Sequence, residues 1–337
     1  MSEINPGAAP VESTPPPVPY KDRSTGLMVF GILTMFLGGV AALFVALMLV
    51  GQAVIGRTPH ASTGLASFLP AISIYGILAV GLVWLGIGSF LARRWARALL
   101  LIFSWIWLVI GVIALLVMAV SLPLIVPHMP SGGTTTQPAL APVALSMVMF
   151  VVFLFFGVFF VVLPAVWRWF YSSRDVKATC EARDPVSRWT DACPLPVLGL
   201  CLMLLFSMPM SLIMCVAGPI VVPFFGVFLT GMPGALFYLG MAAIWGYSAW
   251  SLYKLEQRGW WLILIAMCAV MVSGIVTFAQ HDIMDMYRLM DFPAAQLEQI
   301  QRFAGRIGRG MTWVMPLCML PFLGYLLFIK KFLHRTS

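Results

Sequence analysis

The stretch Val148–Val162 reads VMFVVFLFFGVFFVV, and Gly157 is its only residue without a bulky apolar side chain. A strand of a transmembrane β-barrel alternates apolar and polar residues over about ten positions, and this stretch does not alternate. An α-helix crosses the roughly 30 Å hydrocarbon layer with about 20 apolar residues, a length that the surrounding uncharged sequence supplies. The stretch therefore predicts a transmembrane helix.

Seven further stretches have the same character. None of the eight contains Asp, Glu, Lys or Arg, and together they predict an all-α polytopic membrane protein with eight transmembrane helices. The predicted spans are about 27–51, 69–92, 98–122, 143–166, 196–217, 233–253, 261–280 and 311–329.

The overall composition agrees with this class. The 337 residues are 61% hydrophobic and 9% charged, whereas soluble domains carry about 25% charged residues. The same figures exclude a disordered chain, and six cysteines are too few for a disulfide-stapled secreted fold.

Polar segments divide the chain. Residues 1–26 are polar and proline-rich, and they predict a disordered cytoplasmic tail rather than a signal peptide. The similar turns at 93–97 and 256–261 suggest two parallel four-helix repeats, although apolar sequences also resemble each other by chance. The predicted organisation is a first half (27–171), a polar cytoplasmic loop (172–195), a second half (196–332) and a short cytoplasmic tail (333–337).

The distribution of basic residues predicts the orientation. With the N-terminus inside, the inner segments hold fifteen Lys and Arg residues and the outer segments hold five. Basic residues concentrate on the cytoplasmic side of membrane proteins, so both termini are predicted to lie in the cytoplasm of an inner (plasma) membrane. The net charge of +8 follows from this asymmetry and does not indicate a nucleic-acid partner.

The uncharged spans also restrict the function. Proton relays and voltage sensors need ionisable residues within the membrane, and haem ligation by histidine needs one in a span. The four histidines lie in loops or at span ends, and the chain has no glycine-rich phosphate loop. We therefore predict no enzymatic activity and no cofactor.

The segment 218–234 is apolar but contains three prolines and four glycines, so it cannot continue as one helix. It predicts a re-entrant or interfacial hairpin on the outer side, which could form a pocket, or else a plain apolar connection between two helices. Broken segments of this kind often mark transporter binding sites. The pocket candidates are Gly218, Pro219, Pro223 and Gly226.

The outer end of the seventh span contains His281, Asp282 and Asp285. His281 and Asp285 are spaced to lie on one helical face, where they are weak candidates for half of a metal site. Met284, Met286 and Met290 could add soft ligands for copper. The alternative is a capped turn at the membrane surface.

The loop 172–195 is the most polar part of the chain. Cys180 and Cys193 could contribute to a zinc site, but zinc would need two further strong ligands. We expect the loop to be either a salt-bridged cap over the helices or a contact surface for a protein partner. The candidate contact residues are Cys180, Arg183, Asp184, Arg188, Trp189, Asp191 and Cys193.

These patterns favour a non-enzymatic inner-membrane protein that acts in assembly or as a scaffold, in contact with lipid and with a protein partner or a second copy. The alternative is a transporter or channel-like protein for a neutral or lipidic solute, with its site at 218–234. An amphipathic helix at about 293–307, with Leu297, Ile300, Phe303 and Ile307 on one face, is predicted to lie in the outer interface.

The threading can be tested by thiol labelling. Positions 180 and 288 are predicted to lie on opposite sides of the membrane, so a membrane-impermeant maleimide should label cysteines there from opposite sides. Labelling of both positions from one side would contradict the predicted orientation.

Overall fold

The structure is a computed structural model of the chain. It describes residues 20–55, 68–125, 142–217, 220–290, 297–298, 301 and 319–333. The predicted amphipathic helix at 293–307 therefore lies outside the described residues, apart from the helical positions 297, 298 and 301.

The described chain is predominantly helical. The helices are α1 (Ser24–Ile55), α2 (Leu69–Phe90), α3 (Arg94–Ile125), α4 (Pro142–Gly157), α5 (Leu163–Ser172), α6 (Arg174–Arg183), α7 (Leu195–Met214), α8 (Gly231–Tyr253), α9 (Gln257–Gln280), α10 (Ile283–Leu289) and α11 (319–333). A π-helical turn, Val158–Val162, joins α4 to α5, and a 3-10 turn, Trp189–Asp191, precedes α7.

Within the described residues, six helices are long and apolar enough to cross a membrane: α1, α2, α3, the continuous α4–α5 helix, α7 and α9. They coincide with six of the eight predicted spans. Helix α8 covers the predicted span 233–253 but is not among these six. The predicted span 311–329 is described only from residue 319. The count of eight spans thus stays a prediction.

The described residues include one exception to the all-α prediction, a two-stranded antiparallel hairpin. Strands β1 (Val221–Phe224) and β2 (Val227–Thr230) pair with Val221 opposite Thr230 and Phe224 opposite Val227. The two turn residues, Phe225 and Gly226, both have positive φ, as in the type I′ turns that close such hairpins. The prediction that this segment breaks helical structure is confirmed, and it does so as a β-hairpin.

Two large apolar cores organise the described helices, beside a small cluster at α10. The first joins α1, α3, α5 and α6 around Leu27, Trp167 and Tyr171. The second joins α7, α8, α9 and α11 around Leu198, Leu252 and Trp260. Helix α3 contributes to both, with Leu100 in the first core and Ile102 in the second. The division resembles the predicted halves, but it does not establish a repeat.

The two turns that suggested a repeat do share a local geometry. Ala92 and Leu255 each follow a helix with a positive φ, of 51° and 61°. In both turns the next amide donates to a carbonyl five residues earlier, Arg93 to Gly88 and Glu256 to Ser251. This is the hydrogen bond of a Schellman motif, which ends many helices, so the likeness is local.

The stretch that predicted the membrane class also contains a helix irregularity. Pro164 has no N–H to donate to the carbonyl of Phe160, four residues earlier, and the helix widens there into the π-helical turn. The carbonyl of Phe160 lies directly against Gly111 of α3, where a Cβ would overlap with it. The close approach of α3 to this turn therefore requires glycine at position 111.

We predict that Gly111→Ala lowers the stability of the protein by about 1–3 kcal/mol, the typical cost of overpacking an interface. Gly81→Ala in α2 is the matched control, because a Cβ there meets nothing within 4 Å. The measurement is the midpoint of thermal unfolding of the purified protein in detergent. Equal midpoints for the two variants would show that α3 does not need the glycine.

Candidate functional site

Residues 174–194, which we call the polar cap, fold onto the end of the helix bundle. The cap consists of α6, an extended segment and the 3-10 turn. Val176, Thr179 and Cys180 are buried on the face of α6 that lies against α1, α3 and α5. The Thr179 hydroxyl also accepts a hydrogen bond from the Arg23 amide at 3.1 Å, next to the start of α1.

Ion pairs join the cap to the start of α1 and to the turn between α2 and α3. Pairs between exposed side chains contribute about 0–1 kcal/mol each, so the pairs that do not involve the buried Asp184 act mainly as a network that orients the cap. The predicted salt-bridged cap is what the structure contains. The pairs are Arg23–Asp175 (3.6 Å), Arg183–Asp22 (3.7 Å), Arg93–Asp184 (3.7 Å), Arg94–Glu181 (3.7 Å) and Arg94–Asp191 (3.6 Å).

Asp184 is the buried member of this network, with 2% of its side chain exposed. Arg188 donates to its Oδ1 at 3.1 Å, and Arg93 lies 3.7 Å away. Burial by itself would raise the pKa of Asp184, but the Arg188 hydrogen bond and the neighbouring positive charges outweigh it and hold the pKa below its ordinary value. Asp184 is therefore an ionised, stabilising group at neutral pH.

The two cysteines of the cap are buried neutral thiols. Burial raises the pKa of Cys180 and of Cys193 to about 11 each, so neither is a thiolate at neutral pH. Zinc binds thiolates, and the described residues contain no group of three His, Cys, Asp or Glu side chains placed to hold a metal ion. Because Cys180 is only 1% exposed, the labelling position on this side is better moved to Lys177, which is 58% exposed.

A cavity of about 330 Å³ separates the cap from the bundle. Its walls come from the start of α3, the inner face of α6, the 3-10 turn and the start of α7. The residues lining it are Arg94, Arg97, Ala98, Lys177, Cys180, Glu181, Thr190, Asp191, Cys193, Pro194 and Leu195.

The outward side of the cap presents apolar side chains among charged ones. Val186 is 59% exposed and Trp189 is 45% exposed. The carbonyl of Trp189 accepts a hydrogen bond from the Tyr253 hydroxyl at 3.1 Å, which ties the 3-10 turn to the end of α8. We call Val186 and Trp189 the outward face of the cap.

The β-hairpin is held by hydroxyl side chains of α9. The Phe225 amide donates to Ser273 Oγ at 2.9 Å, and the Gly226 amide donates to Thr277 Oγ1 at 3.0 Å. Ser273 in turn donates to the Pro223 carbonyl at 3.0 Å. Ser273 and Thr277 are four residues apart and form one polar stripe on an otherwise apolar helix. The stripe satisfies the non-helical backbone of the turn.

The hydrogen bonds to α9 involve backbone groups of the predicted pocket. Pro223 and Gly226 lie in the hairpin, while Gly218 and Pro219 lie outside the described residues. The Pro223 carbonyl and the Gly226 amide are already engaged by α9. Gly226 also has a positive φ and lies next to the end of the Gln280 side chain, 2.7 Å from where a Cβ would be. Solute transport at this segment stays a prediction.

The three candidate metal ligands have structural partners. His281 Nε2 lies 3.0 Å from the Gly226 carbonyl, to which it donates. Asp282 and Asp285 form a capping box at the start of α10, and Asp285 Oδ2 lies 4.0 Å from His281 Nδ1. The structure thus brings the three predicted residues together. They form a capped turn, and His281 also contacts the hairpin. Of the methionines considered as copper ligands, Met284 is buried in a small apolar cluster.

The hydropathy and charge patterns did not indicate the structural roles of Ser273, Thr277 and Arg97. Ser273 and Thr277 could have been found, because two hydroxyl residues at helical spacing within an apolar span are a recognisable signal. Arg97 was counted only as one of several basic residues in a turn, and its position in the cavity depends on contacts between distant segments.

We predict that Thr277→Ala destabilises the protein by about 1–3 kcal/mol, because it leaves the buried Gly226 amide without an acceptor. Thr277→Ser keeps the hydroxyl and is the matched control. Thermal unfolding in detergent measures the difference. A similar loss in both variants would mean that the methyl group, rather than the hydrogen bond, is important.

We also predict that Asp184→Asn destabilises the protein at pH 7 by about 1–3 kcal/mol, since Arg93 and Arg188 lose their shared counter-charge. The folded-state pKa is lowered, so this stabilisation is complete above the ordinary value of 3.8 and is lost as the pH falls through the lower folded value. The difference in the free energy of unfolding between the wild type and the variant should be constant from pH 7 to 5. It should become smaller only below about pH 3.8. The control is Asp22→Asn, which removes the charge from an exposed ion pair and should lower the free energy of unfolding much less. An equal loss of stability in the two variants would contradict a role for the burial of Asp184.

No protein-family model, no curated protein and no solved structure matches the chain.

Proposed function

We propose that this protein is a non-enzymatic, multi-pass inner-membrane scaffold that holds a protein partner, or a second copy of itself, at the outward face of its polar cap. In this proposal the chain crosses the membrane eight times and both termini are cytoplasmic. The excess of basic residues in the inner segments supports that orientation, since basic residues concentrate on the cytoplasmic side. In this orientation the cap lies in the cytoplasm.

The observation that carries the proposal is the fixed position of the cap. Ion pairs attach it to α1 and to the α2–α3 turn, and the Tyr253 hydrogen bond attaches it to α8. A surface that is already ordered loses little conformational entropy when a partner binds. The cap therefore has the rigidity that a docking surface needs.

The chemistry of the outward face also supports partner binding. Tryptophan is among the residues that contribute most to protein interfaces, particularly when polar residues surround it. Trp189 is partly exposed between Arg188 and Asp191, in a segment too polar to enter the hydrocarbon. A tryptophan in this setting is better suited to a protein contact than to a lipid contact.

The proposal can be tested by site-specific photocrosslinking in native membranes. A photoreactive amino acid at position 186 or 189 should give one product of defined mass, and Trp189→Ala should reduce the product formed from position 186. Position 258 is the control, because Arg258 is exposed near the turn between α8 and α9 and lies outside the cap. A product of twice the chain mass would identify a second copy as the partner.

Two results would overturn the scaffold proposal. The first is the absence of any product at positions 186 and 189 in cells that express the protein at its natural level. The second is an equal pattern of products at positions 186, 189 and 258, which indicates random collisions in the membrane.

A further inference from the structure

Four basic side chains lie at one end of the second core, where α8 ends, α9 begins and α11 ends. Helices α9 and α11 are joined there by the Trp260 indole, which donates to the Leu326 carbonyl at 2.8 Å. This is the end of the bundle that carries the cap, because the Tyr253 hydroxyl at the end of α8 donates to the cap. We call the four side chains the basic rim: Lys254, Arg258, Lys330 and Lys331.

The cations of the basic rim form no ion pair with a carboxylate in the part of the chain that the structure describes. The ion pairs found there use other basic residues, which are Arg23, Arg93, Arg94, Lys177, Arg183, Arg188, His281 and Arg288. The three helix ends and the α8–α9 turn contribute one carboxylate, Glu256, which accepts a hydrogen bond from the Ser251 hydroxyl at 3.1 Å. Four positive charges and one negative charge give this end of the second core a net charge of +3.

Three of the four cations lie over aromatic rings. The pairs, with the distance from Nζ to the ring centre, are Lys254–Trp250 (4.7 Å), Lys330–Trp261 (5.2 Å) and Lys331–Phe328 (3.8 Å). The three rings are themselves between 45% and 62% exposed. A ring face attracts a cation but carries no net charge, so these contacts orient the ammonium groups and leave their charge uncompensated.

The position of the basic rim favours a lipid surface as the partner. Helix α9 is long and apolar enough to cross a membrane, and Arg258 and Trp261 lie in its first turns. Exposed tryptophans at the end of such a helix prefer the headgroup layer, where lysine stems stay in apolar surroundings while the ammonium groups reach phosphates. Basic clusters beside membrane helices bind anionic lipids through this arrangement.

We propose that the basic rim binds the headgroups of anionic phospholipids, with Trp250 and Trp261 placed beside them in the headgroup layer. The charge of a lipid such as phosphatidylglycerol is the counter-charge that the rim lacks. Phosphatidylcholine has the same phosphate but also carries its own cation, so it neutralises the rim poorly. The inference concerns the ends of α8, α9 and α11 and does not depend on the scaffold function proposed for the cap.

The test uses the full-length protein purified in a neutral detergent. The midpoint of thermal unfolding is followed during titration with dioctanoyl phosphatidylglycerol and, separately, with dioctanoyl phosphatidylcholine. The variant Lys330→Gln/Lys331→Gln removes two cations of the rim. The matched control is Lys177→Gln/Arg288→Gln, because it removes the same charge from two exposed residues that are already paired with carboxylates.

We expect phosphatidylglycerol to raise the midpoint of the wild type, and phosphatidylcholine to raise it much less. The phosphatidylglycerol concentration that gives half of the shift should increase about tenfold or more in Lys330→Gln/Lys331→Gln, as expected for the loss of two cations at a lipid surface. It should stay at the wild-type value in Lys177→Gln/Arg288→Gln, because the rim is intact although the net charge of the protein falls equally.

A second variant keeps the test decisive if Lys330→Gln/Lys331→Gln fails to fold. Lys254→Gln/Arg258→Gln removes two exposed cations of the rim and should increase the same phosphatidylglycerol concentration to a similar extent. The proposal is overturned if the two lipids stabilise the wild type equally, or if the rim variants respond to phosphatidylglycerol as the wild type does. It is also overturned if the control variant loses the response as strongly as the rim variants, since net charge alone would then explain the effect. Stabilisation by neither lipid overturns it too and would indicate an acidic protein partner instead.

Discussion

Hydrocarbon accepts neither an ionised side chain nor an unpaired backbone amide, and the arrangement of this protein follows from that constraint. Its membrane-length helices satisfy their own backbone groups and contain no charge through their central turns. The polar interactions are therefore concentrated where helices end. At one end they form the polar cap, and at the end of α9 they hold a β-hairpin.

Non-helical segments are stabilised by different interactions at the two ends. At the hairpin, Ser273 and Thr277 supply neutral hydroxyls, which occupy the turn amides without introducing a charge. At the cap, arginines and carboxylates compensate each other across three segments of the chain, and Asp184 is buried among them. The first solution suits an apolar depth, whereas the second requires the membrane surface, where water reaches most of the ions.

The cap has two sides with different chemistry. Its outward face carries Trp189 on a turn that α8 holds in place, which favours contact with a protein. Its other side lies against the bundle, where Val176, Thr179 and Cys180 are buried and Arg94 pairs with Glu181 and Asp191.

The sequence by itself determined the membrane class, six of the helices and the break at 218–234, because these depend on local hydropathy and on the backbone chemistry of proline and glycine. It also indicated a salt-bridged cap from charge composition. Only the tertiary structure decided which ions pair, that Asp184 is buried among arginines, and that His281 donates to the hairpin. These features join residues that are distant in the chain, and their geometry is set by helix packing, which hydropathy and spacing do not encode.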